Sequence, residues 1–180
     1  MDVFSHGLWT GAIAQFINKK IKKPLSIKWA VFWGVFPDIF AFGLPFIGIF
    51  WNLAFGNLNF RDLPAIHETE PPPEDTFWMF TLAKSLYNIS HSLFIFLIVF
   101  SLVSLIFKRP ILELGGWLLH ILIDIPTHSY QFYPTPFLWP ISSWKFSGLS
   151  WGTPWFMVLN YSVLIIIYFL LYRKRKLQKT

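Results

Sequence analysis

His120, Asp124 and His128 fall at every fourth position of HILIDIPTHS, inside a segment that is otherwise apolar. Residues four apart share one face of an α-helix, so His120 and Asp124 can offer an imidazole nitrogen and a carboxylate oxygen to one cation. Pro126 removes a backbone hydrogen bond and bends or ends the helix. His128 then has two candidate places, at the site or at the water interface. The other ionisable groups inside apolar stretches are His6, Asp38 and His91. At membrane depth such a group needs a partner or a wet cavity, so it marks a functional site by default. Each also has a plain structural reading: His6 as a hydrogen-bonded helix residue, Asp38 as a helix N-cap after Pro37, His91 as an interfacial residue.

The elements that position these groups follow from composition. The chain has 180 residues, 54% hydrophobic, 21% aromatic and 13% charged, with a mean hydropathy of +0.50. Soluble domains carry about 25% charged residues. Ten Trp and 21 Phe suit a chain whose solvent is partly lipid, with rings at the interfaces. The chain contains no cysteine, which excludes disulfides and thiolate metal sites. The length fits one integral membrane domain, 1–180.

The expected fold is all-α: a polytopic membrane helical bundle with four long spans, 28–52, 82–107, 110–129 and 154–172, plus a short N-terminal helix over 3–17. A span needs about 20 apolar residues; the 3–17 stretch is shorter and is either a thinned fifth span or re-entrant. The lysines follow the first apolar stretch rather than precede it, so no cleavable signal peptide is expected. Twelve of the 15 basic residues form three clusters: Lys19, Lys20, Lys22, Lys23 and Lys28; Lys108 and Arg109; Arg173, Lys174, Arg175, Lys176 and Lys179. Loop 53–81 is acidic and loop 130–153 holds only Lys145. Positive residues collect on the cytoplasmic side, which puts the C-terminus inside, both long loops outside, and the chain in the cell (inner) membrane. The net charge of +6 is then a topology signal, and no nucleic-acid partner is expected.

At 1.5 Å rise per residue, Asp38 lies about 15 Å, His120 about 16 Å, His6 about 20 Å, Asp124 about 22 Å and His91 about 25 Å from the inner basic clusters. All five fall between the midplane and the outer side of a core about 30 Å thick, as one outward-opening site requires. Three imidazoles and two carboxylates, with His128 as a further candidate, suit a divalent cation: zinc first, with manganese or iron as alternatives. Three or four ligands hold one ion; five or six hold two that share a carboxylate. The natural chemistry is hydrolysis, with Asp38 or Asp124 serving as ligand and proton acceptor. Asn88, Thr127 and Tyr133 are the candidates for orienting substrate.

The stretches SHGLWTGA, GVFPDIF, NISHSL and GGWLLHILIDIPTHS, followed by FYPTPFLWP, resemble the membrane-bound metal-dependent hydrolases, also described as LexA-binding, inner-membrane-associated putative hydrolases. The resemblance covers most of the chain outside 53–81. It implies a metal-dependent hydrolase, with the order His, Asp, His, His-x-x-x-Asp falling on His6, Asp38, His91, His120 and Asp124. That order is also similar to the zinc-dependent phospholipase C group. The chain departs from the membrane family in two places. Ile39 and Phe40 stand where many relatives have a second acid, and Tyr87 and Asn88 stand in the region where many have His-Arg. The missing Arg removes a phosphate clamp and leaves Lys84 or Lys145 as substitutes, both also readable as solvated lysines.

The leading expectation is a hydrolase acting at the outer leaflet on a lipid-like phosphoester or similar amphiphile. The alternative is a non-enzymatic metal-binding or cation/proton transport module, since intramembrane Asp and His also build relays; no inverted repeat supports it. A serine hydrolase using Ser90 or Ser92 lacks a Gly-x-Ser-x-Gly elbow. The plainest reading is a scaffold whose polar groups pair between helices. His67 in the acidic loop reads as solvated, and the tail RKRKLQK as an anchor for anionic headgroups.

Overall fold

A computed structural model describes residues 1–56, 78–130 and 133–177. The described residues form six α-helices and no strand: α1 Val3–Asn18, α2 Ile27–Phe55, α3 Trp78–Ser90, α4 Leu93–Phe107, α5 Gly115–Thr127 and α6 Pro154–Leu177. His67 and most of the acidic loop lie outside the described residues.

Two helices, Ile27–Phe55 and the Pro154–Lys174 part of α6, are long and apolar enough to cross a membrane. At 29 residues α2 reaches about 44 Å. Its large side chains point outward: Leu44, Ile47, Phe50 and Trp51 are all more than 60% exposed, while Asp38 is buried. This inverted pattern, apolar outside and ionisable inside, is that of a helix whose surroundings are hydrocarbon.

The remaining apolar segments are organised differently from four uniform spans. The stretch expected as 82–107 is broken at Ser90, His91 and Ser92, and the helices on either side are bent by 60°. Ser92 is the reason. It caps α4 by accepting from Ile95 N at 3.1 Å, while its hydroxyl donates to the Trp139 carbonyl. The Ser90 carbonyl is held by Trp117 Nε1 at 2.6 Å. The stretch expected as 110–129 yields α5 with 13 residues, about 20 Å long, preceded by a 3₁₀ turn over Leu112–Leu114. That is short of the roughly 30 Å hydrocarbon thickness. Its carboxyl end is capped by the loop after it: Leu149 N donates to Pro126 O at 2.9 Å, Gly148 N to His128 O at 2.7 Å and Trp151 N to Thr127 O at 3.0 Å. These N–H groups supply donors to carbonyls that a helix end leaves unpaired.

Helices α1, α2 and α5 meet at two glycines. A Cβ on Gly116 would collide with the Ala30 carbonyl, and one on Gly34 would collide with the Thr10 side chain. The missing side chains let the backbones approach closely, as small residues do between membrane helices. Trp117, Ile121, Leu114 and Phe96 form the buried apolar cluster beside this junction. Gly115, one residue earlier, meets nothing within 4 Å and has ordinary helical φ.

The two neighbouring glycines therefore respond oppositely to one methyl group. Gly116→Ala lowers unfolding free energy by about 1–3 kcal/mol through overpacking. Gly115→Ala raises it by about 0.5–1 kcal/mol, the usual helical preference of Ala over Gly. Thermal unfolding in detergent reads both.

Candidate metal centre

The junction of α1, α2 and α5 and the α3–α4 break place four ionisable side chains together. Asp38 comes from α2, one residue after Pro37. The Gly34 carbonyl of the same helix accepts from His120 Nδ1 at 2.7 Å. His120 and Asp124 stand on one face of α5, with Nε2 3.2 Å from Asp124 Oδ2. His91 sits at the α3–α4 break, its ring stacked on Tyr87 with centroids 3.8 Å apart. His91, His120 and Asp124 are fully buried, and Asp38 is 7% exposed.

The ligand atoms of Asp38, His91, His120 and Asp124 all lie within 4.8 Å of one another, so the group could hold a metal ion. Five of the six separations are 3.0 Å (His91–His120), 3.6 Å (His91–Asp38), 3.7 Å (His120–Asp38), 3.4 Å (His91–Asp124) and 3.2 Å (His120–Asp124). Donors of a tetrahedral ion bonded at about 2.1 Å stand about 3.4 Å apart. The cluster has the size of a four-coordinate shell.

Its hydrogen-bonding roles make the same point. A carbonyl can only accept, so His120 Nδ1 carries the proton toward Gly34 O and Nε2 presents a lone pair. His91 Nδ1 lies 3.2 Å from the Tyr87 carbonyl and 2.9 Å from the Ser90 hydroxyl; when it donates to the carbonyl it takes the same tautomer as His120. Two Nε2 lone pairs then face each other and two carboxylate oxygens in a dry space. Asp124 Oδ2 has no hydrogen-bond partner. Four converging acceptors repel unless a cation or protons stand between them. Backbone carbonyls holding Nδ1 are also the usual outer partners of metal-binding histidines.

His6 and His128 belong to the same cluster. His6 is fully buried and stacked on His120 with centroids 3.6 Å apart. Its Nε2 lies 2.9 Å from Asp124 Oδ1, at ion-pair distance but without hydrogen-bond geometry. His128 stays with the cluster despite Pro126: Nε2 is 3.3 Å from Asp124 Oδ1, and Nδ1 is 2.8 Å from the Tyr133 carbonyl. The α-ammonium of Met1 also hydrogen-bonds Asp124 Oδ1 and lies 2.8 Å from His128 Nε2.

The residues expected to orient substrate are placed less directly. Thr127 spends its hydroxyl on the Ile123 carbonyl at 2.9 Å, as helical threonines do. Tyr133 takes part through its carbonyl, which accepts from His128 and from the Tyr87 hydroxyl at 3.0 Å; burial pushes its own phenol above the ordinary value. Asn88 is half-buried on α3. Lys84 is exposed. The sequence reading missed Tyr87, Gly34, Gly116 and Trp117 as supports of the ligands. The adjacent glycines before His120 were the one available signal.

Compared with protein-family models, curated proteins and solved structures, the chain matches none.

Because ligands must shed protons to bind a cation, divalent-metal affinity falls as pH drops and the ligands take up protons. Binding releases protons, measurable as buffer-dependent heat in titration calorimetry. A metal at 100 times its dissociation constant also stabilises the fold by about 2.7 kcal/mol, so chelation lowers the melting temperature.

Proposed function

We propose that the protein is a membrane-embedded metal-dependent hydrolase whose centre is Asp38, His91, His120 and Asp124, with zinc as the ion. The observation that carries it is the converging set of four buried acceptors at tetrahedral spacing. An all-nitrogen-and-oxygen tetrahedral set fits zinc best, with manganese or iron next. When bound, a divalent ion supplies Lewis acidity toward a phosphoryl or carbonyl oxygen and acidifies water toward pH ~7. The chain's own part is to hold the donors, exclude bulk water and accept a proton. Asp38, slightly exposed while the others are sealed, is the carboxylate best placed to take it.

On this reading the basic clusters at Lys19–Lys28, Lys108–Arg109 and the C-terminal tail face inward, and the bent α3–α4 pair and the short α5 join the two long helices in the bilayer. In that orientation the centre lies in the outward half and meets lipid-like phosphoesters or related amphiphiles of the outer leaflet. The resemblance to the membrane-bound metal-dependent hydrolases points the same way.

One observation favours a rival reading. Ser90 Oγ lies 2.9 Å from His91 Nδ1, and the far nitrogen of that histidine faces Asp124 at 3.4 Å, an arrangement reminiscent of a serine nucleophile, base and acid. Ser90 is 1% exposed, however, and its partner nitrogen also lies near the Tyr87 carbonyl.

Activity of purified protein on short-chain phosphoesters in mixed micelles separates the two. Under the metal reading, chelation abolishes turnover and added zinc restores it. Asp38→Asn then lowers kcat at least 100-fold, and Ser90→Ala costs about tenfold in metal affinity but retains turnover at saturating metal. A serine enzyme gives the reverse: indifference to chelator and complete loss in Ser90→Ala.

A further inference from the structure

Between α1 and α5 runs an apolar groove of about 220 Å³. Ile13 and Ile17 line it from α1, Leu25 from the connection to α2, Leu112 from the 3₁₀ turn, and Gly115 and Leu122 from α5. Its lining includes no residue of the metal centre and, apart from Thr10, no polar side chain. From Thr10 to Ile17, and from Gly115 to Leu122, the walls are about 10 Å long. Gly115 keeps the space free, since a Cβ there would meet nothing within 4 Å. Phe16, Leu112 and Leu122 at its edges are exposed, so in a bilayer the groove opens sideways onto acyl chains.

One end of the groove carries concentrated positive charge. Asn18 draws the α1–α2 connection into a closed loop: it donates to the Leu25 carbonyl at 2.9 Å and accepts from Leu25 N at 2.6 Å. Lys19, Lys20, Lys22 and Lys23 stand on that loop, all exposed, between the lining residues Ile17 and Leu25. Lys19 Nζ lies 5.4 Å from the centroid of the Phe16 ring, beside the α1 wall. Lys108 and Arg109, also exposed, shortly precede Leu112. Glu113 is the one carboxylate in 10–30 and 108–122, and it accepts from Ser26 N at 3.1 Å. Polybasic segments beside a bilayer attract anionic headgroups, by an amount that grows with each Lys or Arg.

We infer that this groove is a lipid site: it holds one acyl chain of an anionic phospholipid from the leaflet on the lysine side, with the headgroup phosphate on Lys19, Lys20, Lys22 and Lys23. Size decides between occupants. A helix with its side chains is 10–12 Å across, and a stretch of one as long as the groove needs several times 220 Å³. A partner span does not enter, whereas a single hydrocarbon chain does. Charge decides the headgroup, because a zwitterionic lipid gains little from the lysines. The bound lipid braces α1, which carries His6, against α5, which carries His120 and Asp124.

The test is lipid retention by the full chain, purified in detergent, titrated with dioleoylphosphatidylglycerol or dioleoylphosphatidylcholine and weighed by native mass spectrometry. Wild type retains one phosphatidylglycerol per chain, about tenfold more tightly than phosphatidylcholine at low salt. Salt at about 0.5 M removes that preference. Changing the four loop lysines to Gln makes the two lipids equivalent. Gly115→Leu, which fills the groove, retains neither; Leu122→Trp does the same from the other end and serves if Gly115→Leu does not fold. Phosphatidylglycerol retained undiminished by both filled variants overturns the groove as the site, and so does a wild type that retains none. Equal affinity for the two lipids at low salt overturns the headgroup assignment. A wild-type dimer that becomes monomeric in Gly115→Leu overturns the lipid in favour of a second copy of the chain.

Discussion

The structure turns on an electrostatic conflict inside a dry helical bundle. Imidazole lone pairs and carboxylate oxygens from α2, α5 and the α3–α4 break converge within 3.0–3.7 Å. Unpaired charges in such surroundings are costly enough that a protein ordinarily neutralises or expels them. Here they are held in place by backbone carbonyls, at Gly34 and Tyr87, that turn the imidazole lone pairs inward. A cation at the centre would convert that repulsion into attraction and would link α2, α5 and the α3–α4 break.

Much of the irregularity of the fold serves that convergence. Gly116 lets α5 approach α2 closely enough for His120 to reach the Gly34 carbonyl, and Gly34 lets α1 pack against the same stretch of α2. Ser92 ends one helix and begins another, so that His91 projects from the break rather than from a continuous face. The loop segment 148–151 closes the end of α5 and keeps His128 turned back toward Asp124 in spite of Pro126. A uniform bundle of straight spans would place these side chains on separate surfaces.

How much of this could be read in advance depended on its range along the chain. The two long apolar helices were legible because lipid-facing residues must be hydrophobic over a whole span, a signal that needs no tertiary knowledge. The His120–Asp124 pair was legible because helical spacing is local. That His6, Asp38 and His91 lie beside them rests on contacts between helices far apart in the chain, for which the distances counted along each helix from the basic clusters gave only an indirect signal. The break at His91 was written in Ser-His-Ser, but two serines in an apolar run weigh little beside its length. The shortness of α5 arises from the 3₁₀ turn before it and the loop 148–151 that closes its end, and the support given by Tyr87 and Trp117 arises from packing, both invisible to spacing. Thr127 faced the right way for a substrate contact, yet its hydroxyl satisfies its own helix, a competition that local pattern does not resolve.

X-ray absorption at the edge of the metal carried by the purified protein tests the central claim most directly. The account predicts a sulfur-free shell of nitrogen and oxygen neighbours at about 2.0–2.2 Å, with the outer-shell scattering of at least two imidazoles, reduced by one imidazole in His91→Ala. A shell of water oxygens without imidazole scattering, or a spectrum unchanged in that variant, contradicts it.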